Sequence, residues 1–437
     1  MKSGTTPLEA LQGIPVQCLR VTVEEGPDRE ESRVVEADRV TVGTAEGNDL
    51  VLSDPTVSRY HLELQRTERG VHVRDLESTN GTFVGGVMIE RGLARAGSVI
   101  RIGHTKLRVE DEGQGTREIY EGESLAGIVG RSPSMRHLMA RVAKVATTPV
   151  SVLLVGESGT GKEVVARAIH ELSARSDEPY ELVDCASLAS QLIASELFGH
   201  ERGAFTGADR QHVGAFERAH GGTLFLDEVG ELPADLQPNL LGALERRRIR
   251  RVGGSTDRAV DVRVVSATNR DLRLEVNSNA FRLDLFYRLA VVTIEVPPLR
   301  ERLEDVPLLA EHFARELGSN TPFEQLFSDE LRQAMTSHRW PGNVRELRNL
   351  VEATVALGEA PPLSGEIPLD GSASGIRVES LLDLPYKQAR KGIVEQFEAL
   401  YLPHLLIKSE GNVSEAARRA RMDRSYLSSL LRKHKLR

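Results

Sequence analysis

The stretch GESGTGKE, residues 156–163, limits what this chain can fold into more than any other feature. It directly follows SVLLVG (151–156), an apolar run with the pattern of a strand buried on both faces, and precedes the helical stretch EVVARAIHEL. The segment fits G-x-x-x-x-G-K. Its glycines let backbone N–H groups curl around an anion at the positive end of the next helix. The reading is a nucleotide-binding loop of Gly156, Glu157, Ser158, Gly159, Thr160, Gly161, Lys162 and Glu163. Lys162 is expected to reach the β- and γ-phosphates of ATP. Glu163 stands where Ser or Thr would normally ligate magnesium. A glycine-rich turn without a ligand would not need this strand–loop–helix setting.

The matching acidic strand end is TLFLDE (223–228). Asp227 is expected to hold Mg2+, mostly through water, and Glu228 to polarise the attacking water as general base. The plainer alternative is an acidic strand end facing solvent. SATNRD (266–271) ends another strand, where Asn269 is placed to sense the γ-phosphate or position the water. Strands alternating with helices predict an α/β layer with a parallel sheet, and the pattern turns helical after about residue 300.

A chain of 437 residues needs more than this one core. Residues 16–110 read as short β-rich runs punctuated by Gly, Asp, Asn and Pro, the pattern of a sandwich after a tail at 1–15. Polar residues in 111–127 read as a linker, and the Pro/Gly/Ser-rich 359–385 as a second; 386–437 reads as helical. The net charge of -8 carries no global nucleic-acid signal. Cys18 and Cys185 are too few for a disulfide framework or a four-cysteine zinc site, which suits a reducing compartment. The first residues lack the apolar core of a signal peptide, and no run reaches the roughly 20 apolar residues of a membrane span. A cytoplasmic protein without membrane partners is expected.

Residues 128–358 resemble the AAA+ domain of sigma-54-dependent activators, the bacterial enhancer-binding proteins. The resemblance rests on IVGRSPSM, GESGTGKE, ELFGHERGAFTGA, GGTLFLDE, FRLDLFYRL, PPLRER and WPGNVREL. GAFTGA (203–208) is the most diagnostic, and Glu after the P-loop lysine is in keeping with the family. The resemblance implies a homo-oligomeric ring, usually a hexamer, with ATP between protomers. Arg282 and Arg288 match arginine fingers that reach a neighbour's γ-phosphate, and Arg345 matches the arginine that senses nucleotide within the protomer. Gly203, Ala204, Phe205, Thr206, Gly207 and Ala208 match the loop that touches sigma-54 of RNA polymerase. Its glycines permit motion and Phe205 offers an apolar knob. Asp184 departs from the asparagine that commonly hydrogen-bonds the catalytic glutamate. A carboxylate there shares a proton with Glu228, turns to a cation, or sits too far away to couple.

The segment 411–437 resembles a Fis-type helix-turn-helix, with eight Lys/Arg against Glu415 and Asp423. Arg424, Ser425, Ser428, Ser429, Arg432 and Lys433 are the candidates for enhancer-DNA contact, and Leu427, Leu430 and Leu431 are assigned to packing. Arg421 occupies a turn position usually taken by glycine. VGTAEGNDLVLSDPTVSRYHLEL and VRDLESTNGTFVGG resemble a forkhead-associated domain over 16–110, a family whose loops bind phosphothreonine peptides. Ser58 matches its phosphate-binding serine, Asn80 its ligand-holding asparagine and His61 a structural histidine. Thr44 replaces the family's arginine and Gly85 a frequent asparagine; Arg59 is the candidate to compensate. A pseudo-domain kept for protein contacts is the alternative.

The expected architecture is a forkhead-associated β-sandwich, an α/β AAA+ P-loop ATPase with helical lid, and an all-α helix-turn-helix. The expected function is ATP-driven remodelling of sigma-54 RNA polymerase from enhancer DNA, gated by a phosphothreonine protein or a Ser/Thr kinase. Rivals are a repressor with a degenerate ATPase fold, a remodeller unrelated to transcription and a phosphopeptide adaptor. Intact Lys162, Asp227 and Glu228 oppose the first, and GAFTGA opposes the second.

Overall fold

The computed structural model describes residues 11–35, 39–67, 69–186 and 190–361, and beyond these only single positions of the C-terminal segment. It divides into two units, Met1–Pro361 and Pro362–Arg437.

The first unit opens with a β-sandwich. Its strands are β1 (Leu11–Glu25), β2 (Ser32–Val35), β3 (Arg39–Gly43), β4 (Leu50–Val51), β5 (Leu62–Thr67), β6 (Gly70–Asp75), β7 (Thr82–Val84), β8 (Val87–Ile89), β9 (Arg91–Ala94), β10 (Val99–Ile102) and β11 (Thr105–Tyr120). One sheet has the order β2-β1-β11-β10-β7-β8 and the other β4-β3-β5-β6-β9. Period-two alternation makes the core: Leu19, Val21 and Val23 of β1 meet Val40, Val42, Leu62, Leu64, Val71 and Val73 of the facing sheet.

The tail and first linker expected at 1–15 and 111–127 are corrected in part. Residues 111–120 continue β11, paired antiparallel with β1 as far as Leu11↔Tyr120. The polar side chains misled because an arm of two strands needs only its ladder; no buried face writes an apolar period into it. At its far end Ile119 is buried, Tyr120 packs against the ATPase core, and Tyr120 O accepts from Arg136 Nε at 2.7 Å.

Two short strands, β12 (Ser124–Leu125) and β13 (Ile128–Val129), lead into α1 (Pro133–Ala146). Ser132 caps α1 by accepting from Met135 N–H, and Pro133 starts it. The layer continues with β14 (Val152–Val155), α2 (Lys162–Glu171), β15 (Tyr180–Asp184), α3 (Ser190–Phe198), α4 (Ala215–Arg218), β16 (Thr223–Asp227), α5 (Gln237–Arg246), β17 (Arg248–Arg250), β18 (Asp257–Ala259), β19 (Arg263–Thr268), α6 (Leu272–Asn277), α7 (Leu283–Leu289) and β20 (Val292–Glu295). Its sheet is parallel, in the order β15-β16-β19-β14-β20. Apolar runs fit here because two hydrophobic clusters cover the sheet. The order brings the C-terminal ends of β14, β16 and β19 side by side, where ligands gather in such sheets.

The lid is α8 (Val306–Glu316), α9 (Phe323–Leu326), α10 (Asp329–Ser337) and α11 (Asn343–Leu357), closed by Gly358 at φ 75°. Among the described residues no helix is long and apolar enough to cross a membrane. In the second unit Leu402, Val413, Ala417, Leu427, Leu430 and Leu431 form one buried cluster, which agrees with the packing role expected of the last three.

Candidate active site and contact loops

The nucleotide loop joins β14 to α2. Lys162 lies at the first turn of α2, buried, with Nζ donating to Gly156 O at 2.9 Å and Glu157 O at 3.2 Å. The lid reaches the loop directly. Arg345 donates to Ser158 Oγ at 3.1 Å, and Asn343 Nδ2 to Glu157 Oε2 and Ser158 O, both at 3.1 Å. Gly159 has φ 78°, and a Cβ there would stand 2.5 Å from Gly342 O; the lid and loop backbones meet this closely only over glycine. Glu157 takes two bonds from Arg300, at 2.8 and 2.7 Å, which with Asn343 hold its carboxyl below the usual range. Thr160 is buried, and its carbonyl accepts from the buried Arg302 at 3.0 Å. Glu163 is exposed, 3.6 Å from Arg167 one turn on, and takes part in none of these contacts.

Asp227 and Glu228 end β16. Glu228 adopts φ 49°, a left-handed backbone costing on the order of 1 kcal/mol for a non-glycine residue. That turn aims the carboxylate across the site. Oε2 accepts from Asn269 N–H at 3.0 Å and Oε1 lies 3.6 Å from Lys162 Nζ. The predicted base, sensor and lysine therefore converge, with Asn269 acting here through its backbone. Asp227 is held above the ordinary carboxylate range, first by burial and then by Glu228.

Asp184 is the register partner of Asp227 on the neighbouring strand. Its carboxylate accepts from Ala186 N–H at 2.9 Å, and its charge adds to the upward push on Asp227. Adjacent parallel strands thus align Asp184 with Asp227, a neighbour that none of the three outcomes open for this residue named. Cys185, buried beside them, has its thiol pushed up to about 12 by burial first and these acids second.

Both finger candidates are exposed on α7. Arg282 precedes its first turn and forks onto Asp284 at 3.0 and 2.7 Å; Arg288 donates to Leu244 O at 3.0 Å. GAFTGA forms a tight loop closed by Gly203 N–H to Ala208 O at 2.8 Å. Gly203 and Gly207 have φ 81° and 98° with open space around them. Thr206 is exposed, whereas Phe205 is half-buried with its ring edge-on to His200 at 4.9 Å. Ala208 is 4% exposed and joins the loop through its backbone, so its side chain offers no surface here, a correction to the contact set.

At the sandwich tip, His61 is fully buried. Nδ1 accepts from Ser58 N–H at 3.0 Å and Nε2 faces Gly81 O at 3.3 Å, which puts the proton on Nε2. Burial holds its pKa below the ordinary value. Ser58 Oγ accepts from Thr79 N–H at 3.0 Å, and Asn80 Nδ2 donates to Thr56 O at 2.7 Å, so the two predicted ligand residues brace adjoining loops. Arg59 does not face that end. It donates to Val276 O at 3.1 Å and Asn279 Oδ1 at 3.3 Å of the ATPase layer, which corrects its compensating role. The six DNA-contact candidates, Arg424, Ser425, Ser428, Ser429, Arg432 and Lys433, lie outside the described residues, as do Arg421 and nearly all of the second linker.

Sequence reasoning missed Asn343, Arg300 and Arg302, although all three sit in the quoted WPGNVREL and PPLRER. It also missed Asn277 and Arg273, which carry no motif.

Comparison with known proteins covers most of the chain. A model for the sigma-54 interaction domain matches residues 128–295, one for an AAA+ ATPase lid domain matches 300–366, and one for the cytoplasmic domain of an inner membrane component of T3SS matches 22–113. The transcriptional regulatory protein ZraR of Escherichia coli O157:H7 is 45% identical over 308 residues, 70% of this chain and 68% of that one. The crystal structure of NtrX from Brucella abortus in complex with ADP is 34% identical over 71% of this chain and 69% of that one, at TM-score 0.52. An FHA domain solved in an analysis of phosphothreonine-dependent interactions is 28% identical over 21% of this chain and 95% of that one, at TM-score 0.20.

Proposed function

This chain belongs to the sigma-54-dependent transcriptional regulators and carries their AAA+ ATPase domain, and from that premise we propose that it is an enhancer-bound activator whose ATPase ring drives the GAFTGA loop against sigma-54. The observation that carries this reading is the joint presence of Lys162, Glu228 and the Asn269 backbone at one sheet end and an exposed, glycine-hinged Thr206 loop in the same domain.

The chemistry follows from these residues. The P-loop amides and Lys162 cradle the phosphates of ATP, and Lys162 exchanges its carbonyl contacts for phosphate oxygens. Glu228, held by the Asn269 N–H, accepts a proton from the attacking water. Arg282 and Arg288 serve a neighbouring protomer, so hydrolysis depends on assembly, as a hexamer in this reading. Mg2+ fits Asp227, whose buried charge is crowded by Glu228 and Asp184. When bound, the ion neutralises phosphate charge.

Residues 386–437 bind enhancer DNA through the basic stretch after Asn412, and the sandwich, read as a forkhead-associated domain, receives a phosphothreonine signal through Ser58 and Asn80. This work takes place in the cytoplasm. The decisive test is Thr206→Ala. ATP turnover is expected to stay within about twofold, since the loop touches no nucleotide, while open-complex formation with sigma-54 polymerase fails. Equal loss of both overturns the assignment.

A further inference from the structure

One side of the sandwich is taken up by the ATPase. Tyr60, 1% exposed, packs edge-on against Phe286 of α7 at 5.6 Å. Asn277, ending α6, donates through Nδ2 to Tyr60 O at 2.6 Å and Leu76 O at 2.9 Å, and Arg273 reaches Glu63 at 2.8 Å. These contacts come from β5 and from residues that flank β5 and β6. The outer face of the other sheet carries an exposed row instead. Across β11, β10, β7 and β8 the register sets Lys106, Arg101, Phe83 and Met88 side by side. Their chain neighbours Leu107, Ile100, Ile102 and Thr82 are buried in the sandwich, so the four point outward. Met88 is 64% exposed, and the exposed Arg101 sets Cζ 3.9 Å from the centroid of the Phe83 ring.

The two cations of this row are unequally served. Lys106 has Glu25 at 2.8 Å. Arg101, its direct cross-strand partner, donates to Gly103 O at 3.4 Å and makes no ion pair among the described residues. Like charges directly opposite each other destabilise a sheet, and an acidic residue at 101 would have relieved Lys106 instead. An arginine kept there without an acid suits an anion that arrives from outside.

The row also abuts the loops expected to hold a peptide. A Cβ on Gly81 would stand 2.9 Å from Met88 Sδ and 3.5 Å from Phe83 Cε2, so thioether and ring lie against the Asn80–Gly81 turn. Two residues before Gly81, Thr79 N–H donates to Ser58 Oγ at 3.0 Å. Contacts therefore run from Ser58 through the 79–81 turn to Phe83 and Met88, and from Phe83 to Arg101.

We propose that this sheet face extends the phosphopeptide site and selects its ligand: Phe83 and Met88 take an apolar side chain, and Arg101 takes a carboxylate, from residues flanking the phosphothreonine. The ligand is then an acidic phosphothreonine segment with a large apolar residue, an assignment that rests on the forkhead-associated reading. Methionine adapts to varied apolar shapes, and arginine forks onto a carboxylate. An extended peptide advances roughly 3.3 Å per residue, so one held at Asn80 passes onto the row within a few positions.

The test presents the full chain with phosphothreonine peptide libraries in which each flanking position is varied in turn. Wild type is expected to select Asp or Glu together with Leu, Ile or Met on one side of the phosphothreonine. Arg101→Gln should lower affinity for the selected peptide by about tenfold, as for a lost hydrogen bond to a charged group, and leave a peptide with alanine flanks unchanged. Met88→Ser should erase the apolar preference alone, and Ser58→Ala should weaken both peptides alike. Both row residues are exposed, so their variants should melt as wild type does. Selection that persists in Arg101→Gln and Met88→Ser overturns the proposal and leaves the Ser58 reading intact. Equal weakening of the alanine-flanked peptide by Arg101→Gln puts the guanidinium on the phosphate and overturns it too. If the selected sequence binds equally well without its phosphate, and Arg101→Gln abolishes that binding, the row stands and the phosphothreonine reading falls. If wild type retains no peptide, both fall.

Discussion

The phosphate loop of the ATPase and the sandwich loops proposed to take a phosphothreonine are built on opposite plans. In the ATPase the anion site is one contiguous loop, and its cation, Lys162, stands buried inside it. In the sandwich the expected site is assembled from separate loops, and both of its residues are occupied in holding those loops, Ser58 by Thr79 N–H and Asn80 by Thr56 O. Neither cation expected there is in place: Thr44 stands at the position of the arginine that the resemblance implies, and Arg59 is turned into the ATPase. Charge-assisted bonds are roughly twice as strong as neutral ones, so the second site starts with weaker means of holding a phosphate. A phosphate site made from consecutive backbone amides is fully specified by a short motif. One made from side chains on several loops depends on where each side chain goes.

The comparison breaks most visibly if the strong site fails its own test. Arg288→Ala is expected to lower ATP turnover by about 10³-fold or more, the range for arginine fingers, and Glu228→Gln to be similarly inactive. Mixing the two inactive variants should restore part of the activity, because some interfaces then pair an intact Arg288 with an intact Glu228. Steady-state ATPase on the mixture checks this. Full activity in Arg288→Ala alone would mean the site is complete within one protomer.

Legibility in the sequence follows the same division. β14, β16 and β19 were readable because strands covered on both faces must be apolar throughout, and the candidates Glu228 and Asn269 follow β16 and β19 without a gap, as the phosphate loop follows β14. The arm at 111–120 was not readable, because a paired ladder whose only buried residue lies at its far end, Ile119, leaves no hydrophobic period. Arg59 was misassigned for a related reason. Its neighbours Ser58 and His61 serve the tip, but nothing in SRYH tells which residues of an irregular loop turn outward. Asn277 and Arg273 were invisible, since an interface between two parts of one chain has no motif of its own.

A smaller effect sharpens the weaker site. Ser58→Ala should weaken binding of a phosphothreonine peptide to the full chain by about 1.5–3 kcal/mol, the value of a hydrogen bond to a charged group. Thr44→Arg should strengthen it by returning a cation to the tip. Calorimetric titration reads both. If neither variant changes an affinity that wild type does possess, the peptide binds elsewhere.

Smaller again is the pH response of the buried histidine that braces Ser58. His61 is neutral in the folded sandwich, with its pKa below 6.5 because burial disfavours the charge. The unfolded chain therefore takes up the proton first as pH falls. Its full stability is present above about pH 6.5 and declines below it, until the folded pKa is passed, with a slope of at most about 1.4 kcal/mol per pH unit. Denaturation of the sandwich at pH 7.5 and 5.5, in wild type and His61→Asn, isolates the term. Equal pH sensitivity in both would show that other groups cause it.

The smallest expected effect concerns Asp184, where the ATPase site itself departs from its family. The structure couples this residue to Asp227, its register partner, and Asp184 is the least of the upward influences on Asp227 after burial and Glu228. Asp184→Asn removes one negative charge, so the Asp227 pKa should fall. Asp227 must be ionised to hold a divalent cation, so the variant should keep working at a lower pH than wild type. The plateau rate should change by less than about threefold, because the Glu228 carboxylate keeps its bond from the Asn269 N–H. The profile of kcat/KM against pH from 4.5 to 8 separates these statements. A shift of the acid limb downward with an unchanged plateau supports the coupling to Asp227. A large change in plateau with no shift would instead place Asp184 on Glu228, and the register pairing would no longer explain its role.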